Sequence, residues 1–383
     1  PPTILDFRPE ESDDQLNVLC SRRSTFELVL RREVLMHPRV SHEIGATVRG
    51  LMFSPRDPRR IAGVALDDGR ELPAELVVDA SGRRSQAVSR WLPDAGVPPM
   101  SVQSSSADIT YYTRYYQQTV ERPPGILNRG FGSGGTWDHY TAVLFLGDNG
   151  TFSISVGVLP EDTPMKNLRH EAAFTAAVRS TPLLAPWVGP SASRPISPVY
   201  AMGGLDNSLR TGVPVIGLFS VGDAACTTNP AYGRGVSLAL AMAFTLGDVV
   251  SANADDPAAA TREFAAETDR MLAPWHADAV ASDRGRAMLW RATISGTPLG
   301  PPPPGVINFG SLVATAATDQ VVWRRVVRMM NLLDPPQALY NEETMERVRL
   351  AHETGSVFDF PGASRETLVR AVTEAASAGT TTV

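Results

Sequence analysis

The chain has 383 residues, 43% hydrophobic and 20% charged, a composition too apolar for disorder and a length too great for one small module, so two or more packed units are expected. Its formal net charge of −6, from 35 basic and 41 acidic residues, lacks the basic footprint of a nucleic-acid binder. Two cysteines, Cys20 and Cys226, leave no disulfide framework or Cys-rich zinc site, and neither a run of about 18 apolar residues nor a signal peptide at Pro1-Pro2-Thr3 is found.

A soluble, cytoplasmic protein without stable membrane insertion is the expectation. Only one basic residue, Lys166, is a lysine. Ser24-Thr25-Phe26-Glu27 is a capping-box pattern, and Phe26, Leu30 and Val34 at four-residue spacing predict a helix from about Ser24 to His37, closed by Pro38. Val40 to Leu51, Ile61 to Leu66 and Glu71 to Val78 read as strands of a small antiparallel ribbon. Its tight turn falls at Asp68-Gly69, where glycine supplies a positive φ. The ribbon feeds into Leu76-Val77-Val78-Asp79, an apolar run ending on a carboxylate.

From Asp108 to Leu159 the texture becomes that of a sheet. Phe152, Ile154, Val156 and Val158 alternate with Ser153, Ser155 and Gly157 after a turn at Asp148-Asn149-Gly150, the period of a strand with one buried face. Tyr111, Tyr112, Tyr115 and Tyr116 are expected to fill core rather than floor a pocket. Gly130-Phe131-Gly132-Ser133-Gly134-Gly135 is read as a loop, since a strand pattern and not a helix follows it. Val213 to Val221 is a further apolar run ending at Gly222-Asp223. A long helix from about Gly235 to Val250, apolar nearly all round, is expected to lie buried between elements. Gly300 to Gly305, with four consecutive prolines, reads as a stiff connector, and helices follow to about Ala376.

The segment richest in chemistry is Val221 to Gly235. A buried strand delivers Asp223 at its carboxyl end, Pro230, Gly233 and Gly235 permit close backbone approach, and a helix then begins with its N–H groups exposed. Such a terminus favours negative charge, and open α/β sheets bind ligands beyond the carboxyl ends of their strands. A polyhydroxylated, partly anionic ligand suits this arrangement. Elsewhere, His37, His42, His139, His170, His276 and His352 show no metal-ligand spacing, and no Gly-x-Ser-x-Gly elbow is present, so neither a metal site nor a serine hydrolase is expected.

Gly222, Asp223, Pro230, Gly233, Gly235 and Val236 resemble the second flavin fingerprint of the FAD-dependent oxidoreductases with the aromatic-hydroxylase and geranylgeranyl-reductase type of fold. The resemblance implies that Asp223 holds a ribityl hydroxyl of FAD and that the helix N-terminus faces the pyrimidine end of the isoalloxazine. Arg22-Arg23-Ser24 resembles the start of the family helix whose arginine contacts the cofactor, with Arg23 the better match. Asp79-Ala80-Ser81-Gly82 is similar to the strand-end signature that closes over FAD. It takes the form found in reductases, cyclases and halogenases, not the Asp-Gly form of the hydroxylases. The family's opening Gly-x-Gly-x-x-Gly unit is not matched, and either truncation or loss of the pyrophosphate site is expected. The Trp-x-Trp-x-Ile-Pro segment of halogenases is also missing from the sequence.

The resemblance covers most of Ser21 to Val250. It implies an α/β (α+β) fold: an FAD-binding doubly wound domain, incomplete at its N-terminus and built from residues 1–107 and 195–295, an inserted antiparallel-sheet substrate domain (108–194) and a C-terminal helical region (296–383). It implies a monooxygenase, of the kind met in secondary metabolism, that takes electrons from NAD(P)H and hydroxylates or epoxidises a small organic substrate through a C4a-(hydro)peroxyflavin. The alternatives are a geranylgeranyl-reductase-like reductase and a flavin-free binding protein. No catalytic side chain is singled out.

Overall fold

The computed structural model describes residues 4, 6–85, 90–128, 132–212, 215–297, 299 and 307–380. In chain order the elements begin with α1 (Arg23–Met36), β1 (Val48–Ser54), β2 (Asp57–Leu66), β3 (Glu71–Pro73), β4 (Val77–Asp79), the single turn α2 (Leu92–Asp94) and β5 (Ser101–Ser106). The middle of the chain supplies β6 (Thr110–Gln118), β7 (Gly132–Thr136), β8 (Thr141–Leu146), β9 (Thr151–Val158), α3 (Glu171–Arg179), β10 (Ser193–Pro195) and β11 (Tyr200–Met202). Then come β12 (Asp206–Thr211), β13 (Leu218–Ser220), β14 (Cys226–Thr227), α4 (Gly235–Ala252), α5 (Pro257–Ile294), α6 (Phe309–Ala316), α7 (Gln320–Met330), α8 (Glu342–Glu353) and α9 (Arg365–Thr380). The fold is mixed helix and sheet, and its contacts divide it into two compact units.

The first unit comprises Pro1–Val34, Asp108–Leu205 and Ser282–Val383. Its centre is an antiparallel sheet of order β10-β6-β9-β8-β7, with β11 also paired to β6. The predicted turn forms at Asn149 (φ 54°) and Gly150 (φ 66°). Asp148 just before it accepts hydrogen bonds from the Arg22 backbone and guanidinium at 2.7–2.9 Å, and this guanidinium holds the carboxyl well below the usual carboxylate range. The alternation along β9 holds: Phe152, Ile154, Val156 and Val158 are buried, while Ser153 and Ser155 are only partly covered. Tyr111, Tyr112 and Tyr116 fill core as expected, and Tyr115 is the exposed member of the four. Burial pushes the Tyr116 phenol up to about 12. Trp187, Phe174 and Val178, with Leu368 and Val372 of α9, complete this core. Lys166 lies exposed on a short 3-10 helix, Pro164–Arg169.

The Gly130–Gly135 segment departs from its expected loop. Gly130 and Phe131 lie outside the described residues, but Gly132 to Thr136 form β7, paired in register with β8. Glycine is required there by packing: a Cβ on Gly134 (φ 116°) would sit 2.0 Å from the Ala142 carbonyl oxygen. The clustered glycines thus serve close strand approach, a role that glycine spacing alone does not distinguish from a loop.

The second unit comprises Leu35–Ala107 and Asp206–Ala281. It contains two three-stranded antiparallel sheets, β1-β2-β3 and β14-β12-β5, and a parallel pair, β13-β4, the one parallel pairing among the described strands. The hairpin at Asp68-Gly69 joins β2 and β3 as predicted, with Gly69 at φ 86°. Two strand expectations need correction. The first strand begins at Val48, because Gly45 at φ 76° turns the preceding residues out of extended pairing. Glu71 to Val78 is two strands: the pairing to β2 ends with Ala74, whose N–H donates to the Ala62 carbonyl at 2.9 Å, and β4 then pairs with β13 instead. Of the Val213–Val221 run, Val213 and Pro214 lie outside the described residues, and only Leu218–Ser220 is a strand.

The expected burial of the Gly235 helix is also corrected. In α4 only Leu238, Met242 and Val249 are buried, while Val236, Leu240 and Phe244 are 48%, 37% and 74% exposed. An unbroken apolar composition marks no single face, so it carries no information about which side meets protein. By length and composition α4 is the one described helix that could also cross a bilayer. The Gly300–Gly305 connector lies outside the described residues; the helices expected after it are α6 to α9.

Candidate cofactor site

Parallel pairing places the two sequence motifs side by side. In β13-β4, Leu218, Phe219 and Ser220 face Val77, Val78 and Asp79, and Val221 N–H continues the ladder to the Asp79 carbonyl at 3.0 Å. The turns Asp79–Ser85 and Gly222–Ala225, 143 residues apart at Asp79 and Gly222, therefore leave the same carboxyl edge of adjacent strands. That edge is where open α/β sheets gather ligands.

The two aspartates at this edge are used differently. Asp79 is buried, and its carboxylate is taken up by its own turn: Oδ1 accepts from Ser81 N–H at 3.0 Å and Ser81 Oγ–H at 2.5 Å, and Oδ2 accepts from the buried Ser85 hydroxyl. Gly82 at φ 83° closes that turn, leaving Ala80 and Ser81 exposed. Asp79 thus shapes the loop. Asp223 is exposed, and its carboxylate accepts no hydrogen bond from the described residues. It lies beside the start of α4, since a Cβ on Gly235 would come 4.0 Å from its Oδ1.

Between Asp223 and α4 the chain alternates outward backbone and inward anchors. Pro230, Gly233 (φ 66°), Gly235 and Val236 are exposed, whereas Asn229 and Arg234 are buried. Asn229 N–H donates to Asn207 Oδ1 at 2.8 Å, and Asn229 Oδ1 accepts from Ala231 N–H, fixing the 3-10 turn Pro230–Tyr232. Arg234 occupies the N-cap position of α4 without a side-chain cap, so the N–H groups of the first helical turn have no capping acceptor from it. The exposed carboxylate can accept from a ligand's hydroxyls, and the first amides of α4 beside it can donate to an electron-rich edge of the same ligand. The residues present fit FAD in this respect.

The sequence assigns no role to three residues central to this geometry. Arg210 on β12 donates to the Ala224 carbonyl at 2.5 Å and to the Arg83 carbonyl at 3.0 Å, tying the two motif turns together. Trp275 and Asp278 on α5 flank the Arg234 guanidinium. Arginine contacts spanning 14 to 127 residues have no periodicity that could reveal them. Arg23, by contrast, lies in the first unit at the start of α1, exposed and paired with Glu27 at 2.6 Å, a surface pair worth about 0.3–0.5 kcal/mol. Among the described residues no cluster could hold a metal ion. A cavity of about 410 Å³ in the second unit, lined by Ser54, Arg60, Glu75 and Asp255 among others, includes none of the motif residues.

Cys226 sits just past Asp223, buried, with its thiol pushed up to about 12 by desolvation and by the Asp223 charge. In the folded protein a disulfide reagent at pH 8 is expected to titrate Cys20, which is partly exposed, and to reach Cys226 only after denaturation. Equal rates for both thiols would contradict this placement.

No family model matches the chain, and no curated protein matches it in sequence. The fold is similar to that of solved flavin-dependent halogenases and of a probable FAD-dependent monooxygenase. A triple mutant of the flavin-dependent brominase Bmp2 aligns with a TM-score of 0.55 at 14% identity, over 88% of this chain and 76% of that one. The flavin-dependent halogenase CmlS aligns at 0.52 with 16% identity, over 88% of this chain and 59% of that one. PqsL, a probable FAD-dependent monooxygenase from Pseudomonas aeruginosa, aligns at 0.51 with 20% identity, over 72% of each chain.

Proposed function

We propose that this protein is an FAD-dependent oxidoreductase acting as a monooxygenase on a small organic substrate, in the cytoplasm, with NAD(P)H as electron donor. One observation carries the proposal: the Asp79 and Asp223 turns leave one edge of a parallel strand pair, beside the uncapped start of α4. Bound there, FAD supplies the electron transfer and the oxygen chemistry. The chain's own residues supply binding and orientation. Asp223 would accept from a flavin side-chain hydroxyl, the first amides of α4 would favour negative charge on the ring, and the Asp79 turn with Gly82 would shape the loop alongside. Arg210 keeps the two turns in register.

Halogenation is the competing oxidative chemistry among proteins of this fold, and the Trp-x-Trp-x-Ile-Pro segment does not occur in this sequence. Hydroxylation or epoxidation is therefore preferred, and oxygen uptake coupled to substrate separates it from an anaerobic reduction.

The test is a titration with FAD, followed by the visible absorbance of the bound flavin. The wild-type protein is expected to bind FAD stoichiometrically, and Asp223→Ala to weaken binding about tenfold or more, a charged-acceptor contact being worth about 1.5–3 kcal/mol. Equal FAD binding by wild type and Asp223→Ala would remove the site assignment; a wild-type protein without affinity for FAD would end the flavoenzyme proposal.

A further inference from the structure

We infer that Arg234 is a positioning residue that locks the start of α4 in the shape in which its amides meet the flavin. The inference deepens the proposed function and rests on it.

Arg234 lies between two exposed glycines, yet its side chain is only 4% exposed. The guanidinium bonds to Asp278 Oδ2 at 2.7 Å. Its Cζ also lies over two rings, 4.8 Å from the centre of Tyr232 and 4.7 Å from that of Trp275. Trp275 and Asp278 are three residues apart and so share one face of α5. The clamp therefore runs from the turn before α4, through the N-cap residue of α4, to the part of α5 that belongs to the same unit.

Global stability does not explain this arrangement well. Removing an ion pair from water costs about what its attraction returns, and an apolar side chain of similar volume serves a core equally or better. What a planar, ion-paired guanidinium lying over two rings adds is a fixed direction for the backbone that bears it. That backbone is the one place here where direction has a consequence. Gly233 at φ 66° and Gly235 would leave the segment loose, and no side-chain cap holds the first turn of α4. Asn229, held by Asn207, fixes the upstream end of the turn, and Arg234 fixes the downstream end.

Arg234→Lys tests the inference, because lysine keeps the charge and loses the planar guanidinium over the two rings. Three quantities are measured on the full chain: FAD affinity, the thermal midpoint, and backbone amide exchange over residues 229–238 without FAD. Expected are FAD affinity at least about tenfold weaker, the amide of Leu238, which donates to the Arg234 carbonyl at 3.0 Å, exchanging at least about tenfold faster, and a thermal midpoint within a few degrees of wild type. FAD affinity within twofold of wild type, or unchanged exchange at Leu238, overturns the inference. Should Arg234→Lys fail to unfold cooperatively, Asp278→Asn, which retains the arginine and its rings, decides by the same criteria. If the wild-type protein does not bind FAD, the flavoenzyme proposal fails, and the exchange comparison still shows whether Arg234 holds the turn.

Discussion

Replacing Trp187 by Ala is expected to lower stability against urea unfolding by about 3–5 kcal/mol, the range for deleting a buried tryptophan. The side chain is fully buried, packs edge-on against Phe152 of β9 at 5.4 Å, and lies so close to Gly125 that a Cβ there would come 2.5 Å from its indole nitrogen. Collapse around the hole is hindered on both sides. β9 is paired along both edges, to β6 and β8, and the Trp187 carbonyl is held by the Ser193 hydroxyl at 2.5 Å. Among the described residues the indole N–H has no hydrogen-bond partner. Trp187→Phe should therefore forfeit volume but no hydrogen bond, at a cost of less than about 2 kcal/mol. A Phe variant as unstable as the Ala variant would show that the indole nitrogen is bonded after all.

Arg365→Ala is expected to have an effect of similar size by a different route. Arg365, the first residue of α9, makes a two-pronged bond to Asp162 at 2.5 and 2.8 Å, and the Asp162 side chain is wholly buried. Removing the arginine strands a carboxylate away from water, which costs about 3–5 kcal/mol. The loss should also reach the sheet core, because Leu368 and Val372 of α9 belong to it. Arg365→Ala combined with Asp162→Asn is expected to recover at least about 1 kcal/mol relative to Arg365→Ala, since the stranded charge is gone. Simple additivity of the two substitutions would deny the coupling.

These two residues show where sequence reasoning stops. The helix predicted from Ser24, the Asp68-Gly69 hairpin and the alternation of β9 are local patterns in which each residue's role depends on neighbours a few positions away, and all three elements form, although α1 starts at Arg23 and Glu27 pairs with Arg23 instead of closing a capping box. The flavin-like segments were legible as motifs. Their juxtaposition was not, because it depends on β4 pairing with β13, and those strands are three residues each. The roles of Arg210 and Arg234 were not legible for a related reason: apart from Tyr232, their partners are carbonyls, a ring and a carboxylate 14 or more residues away. The exposure of α4 escaped because a helix without a polar face offers no clue to its contacts. The Gly132–Thr136 strand escaped because glycine spacing reports backbone freedom and close approach alike.

The single lysine has a practical consequence. With every other basic side chain an arginine, reagents that seek primary amines find one side-chain target, Lys166, exposed on a short 3-10 helix of the first unit. The residues proposed for the flavin edge, Asp223 and the start of α4, belong to the other unit and carry no such group. A dye or surface tether can thus be attached at a defined point while the chemistry under study is left unmodified, and reductive methylation would yield one side-chain resonance to follow.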